Sequence, residues 1–146
     1  MSWQFTGETN LKKIEKIQER ALRFIYNDYS SSYHELLTMS GLPSLKVRRM
    51  RTLALEVYKI IHKEGPTYLH DLVIVKDTRY SFRNTNTAAL PRFRTVKYGK
   101  QSFRYAAAEL WNSLPNAFRE ASSFNQFQSL ISGWDGPKCK CSVCRT

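Results

Sequence analysis

Ser102-Phe103-Arg104-Tyr105-Ala106-Ala107-Ala108-Glu109-Leu110-Trp111-Asn112-Ser113-Leu114-Pro115 is the stretch that decides the fold class. Phe103, Ala107, Leu110, Trp111 and Leu114 recur at the spacing of one buried face of an α-helix. Ser102 stands where a side-chain oxygen caps the free amides of the first turn. Pro115 stops the helix, because it has no N–H and its ring clashes with the preceding turn. It can also open a short turn through Phe118. The same helical period returns downstream in Phe124, Phe127, Ile131 and Trp134, where Ser123 with Gln126 has the capping-box pattern. Gly133 and Gly136-Pro137 close that segment.

Upstream the pattern is helical as well. Residues 10–27 place Leu11, Ile14, Ile17, Ala21, Phe24 and Ile25 on one stripe that we expect to be buried. Thr9 or Asn10 is the expected cap. Ser31 or Ser32 caps a short helix through Tyr33, Leu36 and Leu37, which Gly41 ends. Ser44 opens a long helix reaching to about Lys63, with Met50, Leu53, Val57, Ile60 and Ile61 as its apolar stripe. Lys46, Arg48, Arg49 and Arg51 crowd its first two turns. Cations there oppose the helix macrodipole, so a bound anion is the expected reason for them. After Gly65-Pro66, residues 67–73 read as a helical turn or two anchored by Tyr68, Leu69 and Leu72.

Between 78 and 102 the period changes. Residues 79–83 and 92–95 alternate apolar and polar as strands do, with Pro91 suiting an edge. A two-stranded ribbon and an extended loop are both open readings. The expectation is therefore a mainly α fold of about five or six helices, with a short basic β-ribbon or loop inserted. Residues 1–137 would form the helical domain, and 138–146 a basic, cysteine-containing tail.

Charge concentrates in the same places. The chain of 146 residues carries 23 Lys+Arg against 12 Asp+Glu, net +11. Residues 78–108 hold seven basic and no acidic groups, and 44–64 hold six and two. Such a balance favours a polyanionic partner. In the first of these segments Arg79, Arg83, Arg92, Arg94, Lys97, Lys100 and Arg104 interleave with aromatic residues. Cations neutralise phosphates and aromatic faces stack on unpaired bases. The candidate stacking groups are Tyr80, Phe82 and Tyr98, and Lys46, Arg48, Arg49 and Arg51 would extend the basic surface. The alternative is that the rings are core and the cations their solvated side. No apolar run approaches the roughly 20 residues of a membrane-spanning helix. The N-terminus lacks a secretory pattern, so an intracellular location, nuclear or cytoplasmic, is expected, with no membrane and no small-molecule substrate as partner.

Catalytic patterns are absent from the sequence. No paired carboxylates stand ready to hold two metal ions, and no phosphate loop or nucleophile elbow is present. His34, His62 and His70 are isolated. Cys139, Cys141 and Cys144 have spacing that can wrap Zn²⁺, although a structural site needs a fourth ligand. His70, a water or another chain could supply it. A thiol tail without metal is the competing reading.

The order of motifs resembles one family. Lys13-Ile14-Glu15-Lys16-Ile17-Gln18-Glu19-Arg20-Ala21-Leu22-Arg23, Ser32-Tyr33-His34-Glu35-Leu36-Leu37 and Arg48-Arg49 with Leu53-Ala54 resemble segments of LINE-type, jockey-like non-LTR retrotransposon polyproteins. Tyr98-Gly99-Lys100-Gln101-Ser102-Phe103-Arg104-Tyr105 and Trp111-Asn112-Ser113-Leu114-Pro115 resemble the block near their C-termini, and Phe124, Phe127 and the cysteine cluster fit the same ending. The resemblance covers about residues 10–144. It implies a piece of an RNA-directed DNA polymerase lying after the palm, in the thumb or beyond. The catalytic aspartate pair of that family has no counterpart here, so the implied role is not polymerisation but grip on template RNA or target DNA. A reading of another class is structural: the apolar stripes would dock onto the missing polymerase portion or onto a second copy, without specific nucleic-acid binding.

Overall fold

The computed structural model describes residues 8–76, 86–100 and 102–137. Among them the architecture is mainly helical, with six α-helices: α1 (Glu8–Tyr26), α2 (Tyr33–Ser40), α3 (Leu45–Ile61), α4 (Phe103–Ser113), α5 (Asn116–Arg119) and α6 (Phe124–Ser132). A 3-10 turn spans Thr67–Leu72 and a π-type turn Val96–Lys100. No helix among the described residues is long and apolar enough to cross a membrane. The chain divides into two compact units, Met1–Met50 and Arg51–Thr146, with α3 beginning in the first and ending in the second.

In the first unit α1 packs on α2. The link between them is pinned by Asp28, whose carboxylate accepts from the backbone N–H groups of Ser30 and Ser31 and from both hydroxyls. Those bonds hold the Asp28 carboxyl far below its ordinary value, the Ser31 hydroxyl contributing most. Ser32 is the N-cap of α2 in a complete capping box: its hydroxyl accepts from Glu35 N–H, and the Glu35 carboxylate accepts from Ser32 N–H at 2.7 Å. That bond also lowers the Glu35 carboxyl. Gly41 closes α2 at φ 65°, a left-handed conformation that side chains with a Cβ resist.

The expected apolar stripe of α1 is rotated. Leu22 is the fully buried residue, with Leu11 and Ile14 half-buried, while Ile17, Ala21, Phe24 and Ile25 are exposed. The helix leans on α2 with the Leu22 side, so only part of the stripe meets a neighbour. The helix also begins at Glu8, which puts Thr9 and Asn10 inside its first turn rather than at its cap.

The second unit is organised around rings. Tyr58 of α3 stacks on Phe127 of α6 with centroids 4.5 Å apart, and Trp111 of α4 lies 6.0 Å from the same Phe127. The Tyr58 hydroxyl donates to the Ala121 carbonyl at 3.1 Å, so the buried phenol keeps a partner. Leu53, Ala54, Val57, Ala107, Leu110, Leu114, Ile131 and Trp134 complete the core. These are largely the positions the helical period marks on α3, α4 and α6. Tyr68, expected to anchor the 3-10 turn, is exposed.

The insertion differs from the ribbon reading. Backbone pairing occurs at Val75 with Ala88, flanked by Lys76 N–H to Thr87 and Ala89 N–H to Ile74. Residues 92–95 form a loop, not a strand. Phe93 packs edge-on against Tyr105 of α4, ring centroids 5.0 Å apart, which turns the chain back instead of leaving it extended. Residues 79–83, the other expected strand, lie outside the described residues.

Candidate nucleic-acid interface

The loop 92–100 is built by close approach. Gly99 sits so near Phe93 that an added Cβ would collide with the Phe93 Cβ. Only glycine fits there without displacing the ring. Gly99 and Lys100 N–H groups both donate to the Thr95 carbonyl, at 2.9 and 3.3 Å, which closes the π-type turn. Ser102 then donates its hydroxyl to Gly99 O and accepts from Tyr105 N–H, opening α4 as its N-cap. Phe93, Gly99 and Tyr105 thereby gather residues 92–100 over the start of α4.

Arg92, Arg94 and Lys100 project from this loop. All three are exposed, and none has an ion pair or side-chain hydrogen bond among the described residues. Tyr98 beside them is 74% exposed. Arg104 is committed elsewhere: its Nε and Nη2 donate to the carbonyls of Leu72 and Asp71, capping the end of the 3-10 turn. The side chain of Lys97, and the whole of Arg79, Tyr80, Phe82 and Arg83, lie outside the described residues.

At the start of α3, where a bound anion is expected to answer Lys46, Arg48, Arg49 and Arg51, the chain also carries an acid of its own. In the first unit Glu15 of α1 supplies the anion. Its carboxylate accepts from Leu45 N–H at 3.3 Å and Lys46 N–H at 2.7 Å, the free amides of the first turn, and from the Tyr33 hydroxyl at 2.7 Å. Arg49 lies 3.8 Å from the same carboxylate. A negative group at that end complements the dipole and satisfies orphan donors. Burial, with the Glu15 bond second, raises the Tyr33 phenol well above its ordinary value. Arg48 is also engaged, whereas the Lys46 side chain is exposed. In the second unit Arg51 donates to the Trp134 carbonyl at 2.7 Å and reaches Asp135 at 3.3 Å, fastening the chain after α6.

Trp111 and Asn112 turn out to be joining residues. Trp111 Nε1 donates to the Asn86 carbonyl at 2.7 Å. The Asn112 amide brackets Ala88, accepting from its N–H at 2.8 Å and donating to its carbonyl at 2.9 Å. Helix α4 thus pairs with the backbone of residues 86–88 much as a neighbouring strand would. Arg119 is 4% exposed; Nη2 donates to Asn116, while Nε and Nη1 have no hydrogen-bond partner among the described residues. Burial pushes its guanidinium below the ordinary value.

Cys139, Cys141 and Cys144 lie outside the described residues. Among the described residues no three His, Cys, Asp or Glu side chains gather to hold a metal. His70, named as an option for a fourth ligand, has Nε2 2.9 Å from the Gly65 carbonyl. No family model, curated protein or solved structure matches the chain.

Proposed function

We propose that this chain is a non-catalytic nucleic-acid-binding segment, gripping template RNA or target DNA, of the kind its resemblance to the post-palm part of a retrotransposon RNA-directed DNA polymerase implies. One observation carries the reading. Arg92, Arg94 and Lys100 stand exposed on one folded-back loop, without intramolecular partners among the described residues, next to the exposed ring of Tyr98. Cations so placed meet phosphates, and Tyr98 offers a face to an unstacked base. Arg49, Arg51 and Arg104 have partners within the chain, so the proposal places its weight on the loop. Arg79, Arg83, Tyr80, Phe82 and Lys97 join it on the sequence pattern alone. The partner is a single strand read without base specificity, inside the cell. The zinc proposal at Cys139, Cys141 and Cys144 stands on spacing, and metal content of the purified chain decides it.

The test is binding of a fluorescent single-stranded oligonucleotide across a salt series. Removing three phosphate contacts in the triple variant Arg92→Gln, Arg94→Gln, Lys100→Gln lowers the slope of log K against log salt by about 2, at roughly 0.7 per contact. An unchanged slope overturns the reading. The second reading, a docking module, is favoured by the exposed apolar side of α1.

A further inference from the structure

Helix α1 exposes a face that its own unit does not cover. Ile17 is 64% exposed, Phe24 81% and Ile25 69%, with Ala21 exposed between them. Ile14, Ile17, Ala21 and Phe24 follow the three-four spacing of a helix seam. Three exposed large apolar side chains on one helical face mark an interaction surface more than an ordinary solvated one.

The charge beside that seam selects the occupant. Lys13, Lys16 and Arg20 line one flank, and all are exposed with no ion pair among the described residues. The acids that might have offset them are turned away. Glu19 pairs with Arg23 at 2.9 Å, and Glu15 is drawn to the start of α3. The other flank of the seam carries Gln18 and Ile25. A second copy fits badly: laid antiparallel, it brings the cationic flank against itself. Laid parallel, it sets those cations against Gln18 and Ile25, which offer no charge. A phosphate backbone answers the cations but leaves Ile17 and Phe24 in water. A lipid-surface helix is rich in Lys and Arg across its polar face, whereas that side of α1 also carries Glu15 and Glu19.

We propose that this face docks an acidic amphipathic helix of a partner protein, its apolar stripe lying on Ile17, Ala21 and Phe24 and its carboxylates facing Lys13, Lys16 and Arg20. The proposal stands apart from the nucleic-acid reading, since it uses neither the loop 92–100 nor its cations.

The experiment uses the full chain and two designed helical peptides with the same leucine seam, one flanked by Glu and one by Lys, followed by fluorescence anisotropy. The Glu peptide binds the wild-type chain. Phe24→Ser, an exposed position whose change leaves helix content intact by circular dichroism, weakens it about tenfold or more. Lys13→Glu with Arg20→Glu does the same and transfers preference to the Lys peptide. Equal binding of the two peptides, or indifference to both variants, overturns the proposal. So does binding to phosphatidylserine vesicles without binding to the Glu peptide, or self-association that Phe24→Ser abolishes. Oligonucleotide affinity is unchanged in Phe24→Ser, so failure here and failure of the nucleic-acid reading are told apart.

Discussion

Among the described residues, the second unit is held by rings, whereas the first is held by single polar atoms. In the second unit Tyr58, Trp111 and Phe127 share one packed cluster. In the first, Leu22 and Leu36 are the buried apolar residues among those described, and the joints are Glu15 at the start of α3, Asp28 in the link, and Ser32 with Glu35 at α2. The contrast teaches that stability should depend on volume in one unit and on ionisation in the other.

The sharpest way to break that contrast is Trp111→Ala. Removing a buried indole should cost ~3–5 kcal/mol in urea denaturation, and the loss should be flat between acid and neutral pH. A loss under ~1 kcal/mol would mean the ring cluster is not the core. Asn112→Ala comes next. It leaves the N–H and carbonyl of Ala88 without the amide that brackets them, at a cost of about 1–3 kcal/mol. Amide exchange at Ala88 should accelerate in the same variant. In the first unit Glu15→Gln keeps the shape but removes the charge that faces the α3 amides and Arg49. We expect about 1 kcal/mol, the usual worth of a helix cap, read as fraying of the first turn of α3 by hydrogen exchange.

Asp28→Asn is the smallest effect and the most pH-dependent. The folded Asp28 carboxyl titrates below its ordinary 3.8. Its stabilisation is therefore complete above the ordinary value and is lost as pH falls through the folded one. Wild type should exceed Asp28→Asn in stability by a constant amount near neutrality, and the gap should close in strong acid. A gap that widens on acidification would contradict the hydrogen-bond assignment.

The same contrast explains what could be read from sequence. Periodicity on α3, α4 and α6 marks mostly buried positions, with Met50, Ile61, Phe103 and Phe124 half-buried, because those helices are covered along most of their apolar stripe. Ser32, Gly41, Ser102 and Ser123 were legible as caps because a cap acts within three or four residues. Even there one detail moved: the Gln126 side chain accepts from Ser122 rather than Ser123. Glu15 was not legible as the anion for α3, because the bond joins residues 31 apart in sequence. Local spacing shows four cations and no acid, so the sequence alone points to an external anion. Asn112 was hidden for the same reason, since its partner is 24 residues away. On α1 the period was right but the direction was not. An apolar stripe says that a face seeks cover, not that this chain supplies it.

The candidate interface was legible as composition, not as geometry. Arg92, Arg94 and Lys100 remain outward, while Arg104 is drawn to the 3-10 turn by carbonyls that carry no sequence signal. Salt dependence of single-strand binding, compared between wild type and the variant lacking Arg92, Arg94 and Lys100, decides whether the loop 92–100 grips phosphates. A steep wild-type slope is expected, becoming shallower by about 2 in the variant, at roughly 0.7 per lost contact. A slope near zero in the wild-type chain, or one that the three substitutions leave untouched, would contradict that grip.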